Sequence, residues 1–151
     1  MALADTKSAM NDTTARPARR LAPALLAPGL VALGSCGFAA AWILLAFARD
    51  RQCSWMAIFA AIDAVLLLRL ARMPAGWLRV LAAVAATALS IVLANWGIAA
   101  AQVGKAMGLL PWESALKLGP QYAWTLAGLA NQPGDLAWLA AALLLAAIAS
   151  R

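Results

Sequence analysis

The chain has 151 residues, 65% of them apolar and only 12% charged, with a mean hydropathy of +0.81. A water-soluble domain this small has too much surface to hide so much apolar side chain, and a disordered chain would be far more charged. What remains is a compact integral membrane protein. The net charge of +6 comes from cations placed at the ends of apolar runs, the pattern of membrane anchors rather than of a nucleic-acid groove.

The residues predict an all-α fold: an integral membrane four-helix bundle with a periplasmic loop that holds two short interfacial helices. Residues 1–20 read as a disordered, basic cytoplasmic tail carrying Lys7, Arg16, Arg19 and Arg20, with either Met1 or Met10 as the start. Residues 21–151 form the transmembrane domain. The first span is predicted over residues 29–48, long enough for about 30 Å of hydrocarbon. Pro23 and Pro28 precede it, where proline suits a helix start. The polar turn Arg49-Asp50-Arg51-Gln52 ends it.

The second span covers residues 55–70, with Ser54 as its expected N-cap. After Pro74 and Gly76, the third covers 78–101. The outer loop takes residues 102–134. Within it Pro111 opens a short helix, with Trp112, Ala115 and Leu116 on one side and Glu113, Ser114 and Lys117 on the other. Glu113 and Lys117 stand at i,i+4, the spacing of a helical ion pair. Gly119 and Pro120 stop it. A second helix carries Tyr122, Leu126 and Leu129 at i, i+4, i+7. Trp112, Tyr122 and Trp124 are the residue types that favour the headgroup level, so both helices are expected to lie on the outer membrane surface. The fourth span covers 136–150 after Pro133-Gly134, with Asp135 as a cap. It is short for a bilayer.

Orientation follows from the cations. With the N-terminus inside, Lys7, Arg16, Arg19, Arg20, Arg69, Arg72, Arg79 and Arg151 lie inside and Arg49, Arg51, Lys105 and Lys117 outside. Eight against four places both termini in the cytoplasm. The 41 alanines fit a bacterium with a GC-rich genome, hence the bacterial inner membrane as the expected location.

Leu33-Gly34-Ser35-Cys36 resembles a bacterial lipobox, which would imply a lipidated Cys36. A lipoprotein continues into a polar linker, whereas this chain stays apolar for 12 more residues. Gly34, Cys36 and Gly37 are therefore read as small residues on a packing face. Cys36 and Cys53 should lie more than about 10 Å apart in depth, too far for a disulfide, which needs Cα atoms within roughly 7 Å. Small residues recur at four-residue spacing, as Ala82, Ala86, Ser90 and Ala94 in span three and as Ala32, Cys36 and Ala40, with Gly37 and Ala41, in span one. Such stripes let helices approach closely, chiefly within the chain or else against another membrane protein or a second copy.

The candidate intramembrane polar site is Asp63, near the centre of span two, where a carboxylate costs about 2.5–3.5 kcal/mol to insert. At similar depth on span three lie Thr87 and Ser90, with Asn95 nearer the outer side. A protonated Asp63 donating to one of these hydroxyls is the structural reading, and a carboxylate that loads and releases a proton or cation the functional one. The size and span count are similar to those of small multidrug exporters, whose essential Glu lies in the first helix; span one here has no acid, so that reading is not adopted. With no His, no C-x-x-C, no Gly-rich phosphate loop and no carboxylate cluster in the sequence, no enzyme activity and no cofactor are expected. The expected role is a non-enzymatic membrane component whose partners are the bilayer and other membrane proteins, not nucleic acid. The alternative is a small proton- or cation-coupled transporter using Asp63.

Overall fold

A computed structural model describes the backbone of residues 16–151 and the side chains of residues 28–151 other than Pro111. Most of the expected N-terminal tail, Met10 included, lies outside the described residues. The described residues form helices and no strand: α1 (Arg16–Arg49), α2 (Met56–Leu70), α3 (Trp77–Met107), α4 (Pro111–Lys117), α5 (Pro120–Ala130) and α6 (Pro133–Ala149).

α1 begins well before residue 29, so residues 16–20 of the predicted tail are helical, and Pro23 and Pro28 lie inside the helix rather than ahead of it. Each interior proline forfeits one backbone hydrogen bond. The stretch Pro28–Arg49, 22 residues and about 33 Å long, carries the spanning length. α2 does not use Ser54 as a side-chain cap. The Met56 and Ala57 amides donate to the Cys53 and Ser54 carbonyls at 2.9 and 3.0 Å, which leaves the buried Ser54 Oγ without a partner among the described residues. α3 is longer than predicted, about 46 Å, and stops where Gly108 takes φ 67°, a left-handed conformation that costs glycine least.

The loop breaks fall where the prolines put them. α4, α5 and α6 each open on a proline, whose missing N–H is no loss at that position. Glu113 and Asp135 cap rather than pair: their carboxylates accept the Leu110 and Gln132 amides at 3.4 and 3.0 Å. The expected Glu113–Lys117 ion pair does not form, and Lys105–Asp50 is the one salt bridge among the described residues.

α3 is the hub. It touches all five other helices, while α2 also touches α1 and α6. Among the described residues α1 and α6 do not meet, so they flank the α2–α3 pair on opposite sides. α1 and α3 run parallel, from Ser35 beside Ala86 to Asp50, just after α1, beside Lys105. Their approach is close because Gly97 has no side chain; a methyl there would run into Ile43. The core is mostly alanine, filled by Trp42 and Leu68, both 1% exposed. Outward-facing positions carry Leu33, Leu44, Leu66, Leu70, Leu144 and Ile148, an exterior suited to lipid rather than water. Two helices, α1 and α3, are long and apolar enough to cross a membrane by themselves, and α5 with α6 makes a third candidate if the pair, bent by 107°, is one broken span. α2, with 15 residues, rises only about 22 Å.

Candidate functional site

Polar groups in an apolar helical protein collect at the two ends of the packed helices, and each end ties together segments distant in sequence. At one end Arg79, at the start of α3, reaches the end of α6. Its Nε and Nη2 donate to the Ser150 and Arg151 carbonyls, both at 2.7 Å, and Nη1 donates to Met73 O at 3.4 Å. Arg69 donates to Ala149 O at 3.1 Å. The last carbonyls of a helix lack intrahelical donors and carry the negative end of its dipole, so cations are favoured there. The α2–α3 turn and the C-terminus therefore share one end.

At the opposite end three carboxamides form a closed knot. Gln52 Nε2 donates to Asn95 Oδ1 at 2.7 Å and to Asn131 Oδ1 at 3.2 Å, and Asn131 Nδ2 donates to Asn95 Oδ1 at 2.9 Å. Asn95 Nδ2 and Asn131 Nδ2 also donate to Ile91 O and Ala127 O, the carbonyls one turn back on their own helices. Below the knot the buried Trp42 indole donates to Gln52 O at 3.1 Å. The α1–α2 turn, the middle of α3 and the α5–α6 bend are thus held at a single point. Beside it Lys105 pairs with Asp50 at 2.7 Å and lies over the Phe47 ring at 5.7 Å. A cavity of about 400 Å³ opens between the α1–α2 turn, α3 and α5.

The candidates read from the sequence divide unequally. Asn95 is at the centre of the knot. Thr87 and Ser90 are buried but engaged elsewhere: Thr87 Oγ1 donates to Ala83 O at 2.8 Å, and Ser90 Oγ donates to Ala86 O at 3.1 Å and to Ser35 O at 3.4 Å. Neither meets Asp63, which has no hydrogen-bond or ion-pair partner among the described residues. Asp63 is half-buried on α2, one turn from Leu67, whose side chain packs against Gly34 of α1. It therefore lies on the α1 flank of α2, away from the cavity. Trp112, Tyr122 and Trp124 are 64%, 74% and 81% exposed. On α4 the two sides read from the sequence are not one buried and one exposed, since Lys117 is exposed although Ser114 is buried. Ser114 is buried near Gly104 of α3, and Trp112 and Leu116 point away from the protein.

Both cysteines are free, Cys36 exposed and Cys53 partly buried. The small-residue stripes differ in burial: Ala86, Ser90 and Ala94 are buried and Ala82 partly so, whereas Ala32, Cys36, Gly37, Ala40 and Ala41 are exposed on α1. Among the described residues no three His, Cys, Asp or Glu side chains are grouped to hold a metal ion. Gln52 and Asn131 were not singled out by sequence; the available signal was a carboxamide beside each apolar run, at the level of Asn95. In comparisons with known proteins the chain matches no family model, no curated protein and no solved structure.

Proposed function

We propose that the chain is a four-span, non-enzymatic component of the bacterial inner membrane that associates with a partner transmembrane helix through the outward face of α1. In this reading α1, α2, α3 and α6 cross the bilayer, with the short α2 and α6 packed side by side in a thinned region. The Arg79 end and both termini are cytoplasmic, by the eight-to-four division of Lys and Arg. α4 and α5 lie at the outer interface with Trp112, Tyr122 and Trp124 at headgroup level.

One observation carries the association. α1 buries Ser35, Ala39, Trp42 and Ala46 inward, yet between the exposed Leu33 and Leu44 it presents Cys36, Gly37, Ala40 and Ala41 outward, with Ala32 one turn before Cys36. A face that met only lipid would have no need of small residues, whereas a partner helix can approach closely there. Cys36 supplies the probe. In native membranes, a benzophenone maleimide attached to Cys36 of a Cys53→Ser protein should on illumination give a cross-linked species that is lost in Ala40→Leu. Mass spectrometry of that band distinguishes a second copy from another protein. No cross-link, with Cys36 shown to react with a maleimide in the same membranes, would overturn the proposal.

The alternative, coupled transport through Asp63, is favoured by the half-buried, unpartnered carboxylate itself. It is disfavoured by its placement, since Asp63 lines neither the cavity at the knot nor a chain of polar side chains.

A further inference from the structure

The cavity beside the carboxamide knot has a lining that helix packing does not require. The α5 wall is apolar, built from Leu126, Ala127 and Ala130, α3 adds apolar Ile98 and Val103 beside polar Asn95 and Gln102, and the α1–α2 turn brings Arg51 and Gln52. Its charges do not cancel. Asp50 is occupied by Lys105 at 2.7 Å, whereas Arg51 has no counter-ion among the described residues. Its hydrogen bonding does not close either. Both N–H groups of Gln52 are used within the knot, but its Oε1 has no donor among the described residues. Asn95 Nδ2 spends one N–H on Ile91 O and keeps the second. The result is an exposed cation, an open acceptor and an open donor on residues that line a partly apolar cavity of about 400 Å³. That volume is of small-ligand size.

Depth adds a second constraint. Asn95 stands 16 residues beyond Arg79 on α3, about 24 Å along the helix. If the Arg79 end marks one membrane face, the cavity lies near the far edge of a hydrocarbon core roughly 30 Å thick. This rests on the membrane placement proposed above, though not on the α1 face.

We propose that this cavity holds the phosphodiester headgroup of an anionic phospholipid. The Arg51 guanidinium presents the paired donors that suit a phosphate, and the free Asn95 N–H offers another. A headgroup hydroxyl donates to Gln52 Oε1. The acyl chains leave along Ile98, Val103 and Leu126, because the cavity is too small to enclose them. A metal cation does not suit the site, since its one carboxylate is already neutralised. A wholly polar solute would leave the apolar wall uncovered.

The test is native mass spectrometry of the purified full chain, exchanged from detergent into equal amounts of dioleoylphosphatidylglycerol and dioleoylphosphatidylcholine. One phosphatidylglycerol should be retained per chain in preference to phosphatidylcholine. Arg51→Gln should weaken retention by about tenfold, the scale of one charge-assisted hydrogen-bond pair. Arg49→Gln, which removes an exposed cation two residues away, should leave retention unchanged. Ala99→Leu, which fills the cavity from α3, should also lose the lipid, with an unchanged unfolding midpoint showing that it still folds. Equal retention of the two lipids, or equal loss from Arg49→Gln and Arg51→Gln, would overturn the site. Displacement of the lipid by glycerol 3-phosphate at matching concentration would assign the cavity to a soluble phosphate ester and overturn the lipid.

Discussion

Replacing Asn95 by alanine removes the shared acceptor of the carboxamide knot. Asn95 Oδ1 accepts from Gln52 at 2.7 Å and from Asn131 at 2.9 Å, so two bonds between segments go at once, along with the Nδ2 bond to Ile91 O within α3. Soluble proteins lose about 0.5–1.5 kcal/mol per such bond. Interhelical bonds in membranes average nearer 0.6 kcal/mol, because the unfolded chain also finds partners. The group is only part-buried, and Gln52 keeps Asn131 Oδ1 as a second acceptor. The expected cost is therefore about 1–2 kcal/mol, toward the lower end of these ranges. Unfolding in mixed detergent with increasing dodecyl sulfate, followed by tryptophan fluorescence, measures it; buried Trp42, donating to Gln52 O, reports on that end. A double-mutant cycle with Asn131→Ala sharpens the test. Neighbours in one network should couple by at least about 0.5 kcal/mol, whereas independent sites add to within roughly 0.3–0.5 kcal/mol. Additive losses, or an Asn95→Ala protein as stable as the wild type, would refute the knot.

Arg79→Gln should destabilise by about 1–2 kcal/mol in the same assay, because charge-assisted bonds to the two carbonyls that follow α6, of Ser150 and Arg151, are lost from a part-exposed site; no change would show that this segment is not anchored by Arg79. Asp63→Asn should insert normally and alter stability by no more than about 0.5 kcal/mol, since no partner is removed. Selective loss of a pH-dependent transport activity in that folded variant would promote the transporter reading over association. Amides of residues 111–129 should exchange slowly in nanodiscs, as two helices packed on α3 require, and uniformly rapid exchange there would contradict α4 and α5.

The breaks in the chain were legible because they depend on local chemistry. Pro111, Gly119-Pro120 and Pro133 each remove or redirect a backbone bond whatever the surroundings, and all three fall at helix boundaries. The polar contacts were not legible. Gln52, Asn95 and Asn131 are separated by 43, 36 and 79 positions, and no periodicity links them. Depth arithmetic paired Asp63 with Thr87 and Ser90, overlooking that a hydroxyl in an apolar helix readily returns to the carbonyl one turn back. On α4 helical spacing sorted the residues into two sides but carried nothing about which one meets α3: small Ser114 fits against Gly104, and Trp112 with Leu116 is left facing the surroundings.

The threading of the membrane is tested most directly by phosphatase reporters fused after Arg72, after Gly119 and after Arg151, assayed in intact cells. The Arg79 contacts put the first and third positions at one end, which the proposed orientation places in the cytoplasm. Activity is expected only from the fusion at Gly119. An inactive reporter at Gly119, or activity after Arg151 together with silence after Arg72, would contradict the four-span topology.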